Sequence, residues 1–331
     1  MAGNMKVAIA GASGIGRHHA KWYNMLGCEV VGFWGRSEES CRATEKVLGD
    51  LFGFRGKGYQ DLEQLLEREK PDLVDVCTPN ELHYECALRS LEAGCHVLCE
   101  KPVVWQDDQR PEILLEKGRS LVESAQSRDL RFGVCTQYAA SLPHYLKLYE
   151  SACGKLKKIA SFYAEMESMG GERRRSASEM WIDMAPHPLS LILKWMPTGA
   201  IVRESLQVAF KGGEARCTFG FAHGREVCRC EVIVRDVSAG DSVRRFGVND
   251  FIVDIAGRPG VDGIFRTVLA HGDREVWGDD LMYLLIAQFV ESIKDRRTTP
   301  LATGEMGLRN LQLQQQVLQF AFSQNRNGGD G

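Results

Sequence analysis

No apolar run in this sequence approaches the roughly 18–20 residues that a helix needs to span a bilayer. Charge of one sign is also missing. The 41 Lys and Arg against 44 Asp and Glu leave a net charge of −3. That balance gives no electrostatic reason to expect a nucleic-acid or membrane partner. The first residues carry no apolar leader and run directly into a strand, so no signal peptide is expected. Cysteine is plentiful at eleven, but pairing signals are not. The number is odd, and Cys228 and Cys230 form the one close pair, on a strand whose alternation turns both thiols to one face. With no second pair at ligand spacing, no metal site is expected. Reduced thiols in a cytoplasmic protein are the expectation instead. There is no internal repeat.

What is there is 331 residues, enough for two domains, at an ordinary globular balance of 44% hydrophobic and 26% charged. Residues 5–10 read as a short buried strand, followed by a glycine turn and a helical pattern from Ile15 to Leu26. Further strands are expected at 29–34, 73–77, 95–98 and 130–135, with a helix opened by Tyr59-Gln60-Asp61 and running through Arg68, another up to Ala93, and a third from Pro111 to Arg128. This alternation predicts an α/β fold with a doubly wound parallel sheet over residues 1–135. Beyond it the pattern changes. Lys155 to Met166 reads as a long strand, and Ile201 to Leu269 as glycine-punctuated β segments of a large open, mainly antiparallel sheet. Residues 136–331 then form a second α/β domain for substrate and for oligomer contacts. Its helices at 279–294 and 304–320 can pack back on the first domain, and the tail from Asn325 is expected to fray.

The glycine turn is Gly11-Ala12-Ser13-Gly14-Ile15-Gly16, placed between a strand and a helix. In that context Gly11, Ser13, Gly14, Ile15 and Gly16 become candidate dinucleotide-binding residues. Glycines permit the sharp turn and let a pyrophosphate approach the helix N-terminus, which favours anions. The usual middle glycine is Ser13 here. The second strand ends in Gly35-Arg36-Ser37, with no carboxylate before Glu38. An acidic residue at this point suits the 2′-hydroxyl of NAD, and an arginine the 2′-phosphate of NADP. Arg36 and Ser37 therefore point to NADP, with NAD the second choice; Arg36 can equally be a solvated residue at a helix start. Cys99-Glu100-Lys101-Pro102 follows an apolar strand at the sheet edge where such folds bind ligands.

Taken in order, these pieces resemble the Gfo/Idh/MocA oxidoreductases. The resemblance rests on the glycine turn, Thr78-Pro79-Asn80 with His83, Ala93-Gly94 before Glu100-Lys101-Pro102, and Asp183 with His187. It extends to Asp295-Arg296-Arg297 and Gly304-Glu305-Met306-Gly307. It implies an N-terminal Rossmann domain, a C-terminal domain with an open sheet, and NAD or NADP. It also implies a sugar, cyclitol or polyol substrate and a homodimer or homotetramer packed through that sheet. Thr78, Pro79, Asn80, His83, Glu100 and Lys101 join the cofactor-binding residues, and Lys101, Asp183 and His187 become the catalytic ones. Two positions depart from the family pattern besides Ser13. Ser178-Glu179-Met180 replaces a glycine run, and Ser190 replaces an acidic residue three after the histidine.

Hydride transfer needs a partner for the substrate's proton. Histidine suits that role near neutrality, and lysine suits it where its pKa is lowered. A protonated Lys101 can also stabilise charge on the substrate oxygen. Asp183, four residues before His187, can orient the imidazole if the stretch is helical, which Pro186 and Pro188 oppose. His18 and His19 are expected on the surface of the first helix, and His96 in the core. The basic run at 173–175 is read as a solvated face, with an anionic substrate as the alternative. A short-chain dehydrogenase would need Y-x-x-x-K, and no tyrosine has a lysine four residues on. A non-catalytic NADP-binding sensor on the same fold is the alternative from a different class.

Overall fold

The computed structural model describes residues 4–171, 173–261 and 265–327. Glu172 of the basic stretch and the last four residues of the expected frayed tail, 328–331, lie outside the described residues. The chain divides into two compact units, Met1–Thr136 with Met282–Leu308, and Gln137–Leu281 with Arg309–Gly331.

The first unit alternates strand and helix: β1 (Lys6–Ala10), α1 (Gly16–Met25), β2 (Glu29–Trp34), α2 (Glu38–Phe52), β3 (Lys57–Tyr59) and α3 (Leu62–Glu69). It continues with β4 (Leu73–Val76), α4 (His83–Glu92), β5 (His96–Cys99), α5 (Pro111–Ser127) and β6 (Phe132–Val134). The six strands are parallel and lie in the order β3-β2-β1-β4-β5-β6. The order reverses between β1 and β4, and open α/β sheets bind ligands beyond the strand ends at such a point. Every residue of β4 is buried, as expected for a strand covered by helices on both faces. Val7, Ile9, Phe33, Leu73 and Leu98 share one core with Ala20 and Tyr23 of α1.

Two elements of this unit had no counterpart in the sequence reading. Ser37 caps α2, its hydroxyl accepting from the Ser40 N–H at 3.2 Å. Tyr59 ends β3 rather than opening a helix; Asp61 is the residue that caps α3, accepting from Glu63 N–H at 2.9 Å.

The second unit contains α6 (Leu142–Cys153), β7 (Ser161–Met169), α7 (Ala177–Met184) and α8 (Pro186–Trp195). Seven further strands follow: β8 (Ala200–Lys211), β9 (Glu214–His223), β10 (Glu226–Val237), β11 (Arg244–Val248), β12 (Phe251–Pro259), β13 (Phe265–His271) and β14 (Arg274–Gly278). They join β7 in an eight-stranded sheet, antiparallel except where β7 pairs with β10. Along β9, Ala215, Cys217, Phe219 and Phe221 turn inward. The opposite face carries Tyr163, Gln207, Thr218, Arg229 and Glu231. The long strand expected from Lys155 begins only at Ser161; α6 ends at Cys153, and residues 154–160 form neither helix nor strand.

Two helices end the chain, α9 (Leu281–Lys294) and α10 (Gly304–Asn327). Leu285, Ile286 and Phe289 of α9 complete the core of the first unit. Arg131 of that unit donates to the carbonyls of Ser292 at 3.0 Å and Arg296 at 2.8 Å. In the second unit, Gln314 and Trp181 bond through each other's backbone carbonyls, both at 3.3 Å.

Candidate active site

The glycine turn joins β1 to α1 at the reversal of the sheet. Gly11 has φ +92, and a Cβ there would lie 2.8 Å from the Cys77 carbonyl oxygen. A Cβ on Gly16 would lie 2.3 Å from the Gly11 carbonyl oxygen. Both positions require glycine, because the turn folds against itself and against the end of β4. Gly14 differs, since a Cβ there would meet nothing within 4 Å. It is exposed, with Ser13 and Ile15, directly ahead of the α1 N-terminus. Open space above bare backbone at a helix N-terminus fits a dinucleotide pyrophosphate. Arg36 is exposed just past β2.

The next two strands bring their own residues to the same edge. Thr78 and Pro79 follow β4, and Asn80 opens a short 3-10 turn. His83 is fully buried, with Nδ1 2.8 Å from the Pro102 carbonyl and Nε2 3.0 Å from that of Thr78. Burial holds its pKa below the ordinary histidine value, against the pull of those two carbonyls. Its ring thus ties the segment after β4 to the segment after β5. There the Glu100 N–H donates to the Val76 carbonyl at 2.8 Å, and Glu100 Oε2 accepts from the Lys101 N–H at 3.2 Å. Lys101 is half-buried, and its peptide bond to Pro102 is cis.

His19 departs from expectation. It is not on the surface but fully buried, as is Asp75 of β4. Its Nδ1 lies 2.9 Å from Asp75 Oδ2 and 3.3 Å from Cys77 Sγ, and its Nε2 lies 3.5 Å from Glu100 Oε1. A carboxylate inside an otherwise apolar strand needs such a partner. His18 is exposed. His96 is half-buried on β5, where burial and then Arg296 push its pKa down to about 4.

In the second unit, Asp183 and His187 lie on consecutive helices joined through Ala185, whose φ −63 and ψ −25 are helical. The expected obstruction by the two prolines does not arise. Pro186 is the first residue of α8 and Pro188 the third, and N–H groups in a first turn have no intrahelical partner to lose. Asp183 and His187 therefore share a face. The His187 ring is 4% exposed and meets Tyr138 edge-on at 4.9 Å between centroids. Arg175 reaches Asp183 Oδ2 at 3.0 Å and is itself held by Asp236 of β10 at 2.7 Å. Sequence reasoning missed Tyr138 and Asp236, and the solvated face expected at 173–175 does not hold for Arg175, whose guanidinium is taken by Asp183 and Asp236.

The two departures also have structural occupations. Ser176 and Glu179 form a reciprocal cap on α7, and Arg173 pairs with Glu179, whose carboxyl these contacts push down to about 2. Met180 is fully buried. Ser190 Oγ accepts from Asn310 Nδ2 at 3.0 Å. Arg174 and Arg175 likewise have partners in this unit, on Ser238 and Asp236. Cys228 and Cys230 Sγ lie 3.8 Å apart and buried.

Comparison with known proteins agrees with this geometry. Residues 5–136 match the model of the oxidoreductase family described as an NAD-binding Rossmann fold. A D-glucoside 3-dehydrogenase of Escherichia coli (strain K12) is 36% identical over 111 residues, covering 33% of this chain and 30% of that protein. A glucose-6-phosphate 3-dehydrogenase of Bacillus subtilis (strain 168) is 28% identical over 134 residues, 40% of this chain and 34% of that one. The matches thus span about a third of the length of these relatives. Among solved structures, the UDP-N-acetylglucosamine 3-dehydrogenase GnnA from Acidithiobacillus ferrooxidans superposes with a TM-score of 0.71 at 20% identity. That likeness covers 95% of this chain and 96% of that one, and it establishes the fold over both units. With its reversed parallel sheet and its glycine turn, the stretch over residues 5–136 matches the family model of the Gfo/Idh/MocA oxidoreductases.

Proposed function

We propose that the protein is an NAD(P)-dependent oxidoreductase acting on a carbinol or carbonyl carbon of a sugar, cyclitol or related polyol. One observation carries the reading. The glycine turn, Thr78-Pro79-Asn80 and Glu100-Lys101 stand at the carboxyl ends of three neighbouring strands, β1, β4 and β5. A ligand held by the first is then within the same edge as the amine of the third. The names of the relatives, two of them sugar dehydrogenases, support the substrate class.

A bound nicotinamide supplies the acceptor or donor of a hydride. The rest falls to the chain's own residues. On oxidation the C–H electron pair leaves the carbinol carbon with the hydride, and the hydroxyl proton must pass to a base. We assign that proton to His187 or Lys101, with Asp183 orienting the imidazole. A protonated Lys101 would steady negative charge on the oxygen. NADP is the proposed cofactor, with Arg36 on its 2′-phosphate. The open face of the eight-stranded sheet supports a homodimer or homotetramer in which another copy covers it. No helix among the described residues is long and apolar enough to cross a membrane, and the ten buried cysteines support a reducing, cytoplasmic setting.

The test is turnover. Purified protein is incubated with NADP or NADPH and a panel of sugars, cyclitols and their keto forms, and absorbance of the reduced nicotinamide is followed. Turnover of one class is expected. Tight NADP binding with no turnover on any member would favour the sensor alternative.

A further inference from the structure

His19 and Asp75 have no part in the reaction described above, but through His19 they meet Glu100, which does. The members of this buried cluster come from three neighbouring strand ends and from the helix of the glycine turn. His19 Nδ1 faces Asp75 at 2.9 Å, and Nε2 faces Glu100 at 3.5 Å. The other oxygen of Glu100 accepts from the backbone N–H of Lys101 at 3.2 Å. We propose that His19 is a positioning residue. Held as an imidazolium between Asp75 and Glu100, it couples the cofactor-binding helix to the backbone of Lys101.

A neutral imidazole has one N–H and one lone pair, so it would turn a lone pair toward one of the two carboxylates. A proton on each nitrogen turns an N–H toward each carboxylate, in a hydrogen bond to Asp75 at 2.9 Å and an ion-pair contact with Glu100 at 3.5 Å. Two thiols also lie close to the ring, Cys77 after β4 and Cys135 after β6, and Tyr23 on the same helix lies beside Asp75. An ion pair between His19 and Asp75 alone would suffice to anchor α1 on β4. The third member sits instead on the residue that fixes the Lys101 amide. A shift of α1 on cofactor binding would therefore be felt at Lys101, and the inference rests on the proposed role of that lysine only for its kinetic arm.

The test has two arms on the full chain. In the first, 15N-histidine spectra are compared between the wild type and His19→Gln, which identifies the His19 signals. Both ring nitrogens should be protonated from mildly acidic to mildly basic pH. Hydrogen exchange at the Lys101 amide should quicken in His19→Gln and in Glu100→Gln, while exchange at Val97 within β5 stays as in the wild type. A neutral single tautomer, or Lys101 exchange that does not change, overturns the proposal. So does stoichiometric zinc in the purified protein, which would make His19 a ligand. This arm needs no substrate, so its failure is separate from failure of the proposed activity. In the second arm, each variant should lower kcat by up to about 10²-fold, the scale of a small misplacement, and His19→Gln should do so with little change in KM for NADPH. The double variant should lose no more than the worse single one. Losses that multiply overturn the coupling. If His19→Gln does not fold, Glu100→Gln alone decides the exchange measurement.

Discussion

Asp236, 1% exposed on β10, grips Arg175 from three directions. It accepts from the Arg175 backbone N–H at 3.1 Å, from Nε at 3.0 Å and from Nη2 at 2.7 Å. From that anchor Arg175 extends Nη1 to Asp183. Burial acts to raise the Asp236 carboxyl, but the arginine outweighs it and leaves the pKa below the usual range. A carboxylate lowered in the folded state adds stability above its unfolded pKa, and that stability is lost as pH falls through the folded value.

Two outcomes follow from this anchor. Arg175→Ala keeps the backbone N–H bond but leaves Asp236 buried without its charged partner, and should cost about 3–5 kcal/mol, a fall in Tm on the order of 10 °C. Arg173→Ala, which removes an exposed pair, should leave Tm unchanged. Thermal melts below about pH 4, where an unfolded aspartate takes up its proton, should show a shallower loss of stability in Asp236→Asn than in the wild type.

The glycine turn separates folding from binding. Gly11→Ala, at φ +92 and against the Cys77 carbonyl, should cost about 1–3 kcal/mol. Gly14→Ala has open space for its methyl and should change stability by no more than about 0.5 kcal/mol. It should nonetheless weaken dinucleotide binding, because the methyl stands where the pyrophosphate approaches. Thermal melts alongside NADP titration by calorimetry check both. Unchanged affinity in Gly14→Ala would move the phosphate site elsewhere.

Cofactor choice rests on Arg36. Charge-assisted bonds to a phosphate contribute roughly 1.5–3 kcal/mol, or about one to two decades in affinity. Arg36→Ala should weaken NADP by that factor and leave NAD nearly unchanged. Equal or tighter NAD binding by the unmutated protein contradicts the assignment.

The first unit was legible because its strands are short apolar runs and its turns carry glycine or proline. His19 was misjudged although a signal was present. Gly16, His19, Ala20 and Tyr23 follow the i, i+3, i+4, i+7 spacing of a buried helical stripe. Asp75 between two valines was a second sign that a buried strand needed a polar partner. Pro186 and Pro188 misled because their effect depends on position within a helix, and the start of α8 was not visible in the sequence. Arg175 looked like one of a solvated run. Its anchor lies 61 residues away on β10, a distance no local pattern reports.

The account stands most directly on Lys101 and His187, and the decisive measurement is kcat for Lys101→Met and His187→Ala with the substrate that the panel identifies. Losing one acid or base group typically costs about 10²–10⁴ in rate. Lys101→Met keeps the apolar stem of the side chain, so lost activity would not reflect lost packing. Both variants should fall by that factor while binding NADPH nearly as the wild type does. Near-normal turnover in either one would contradict the role assigned to that residue.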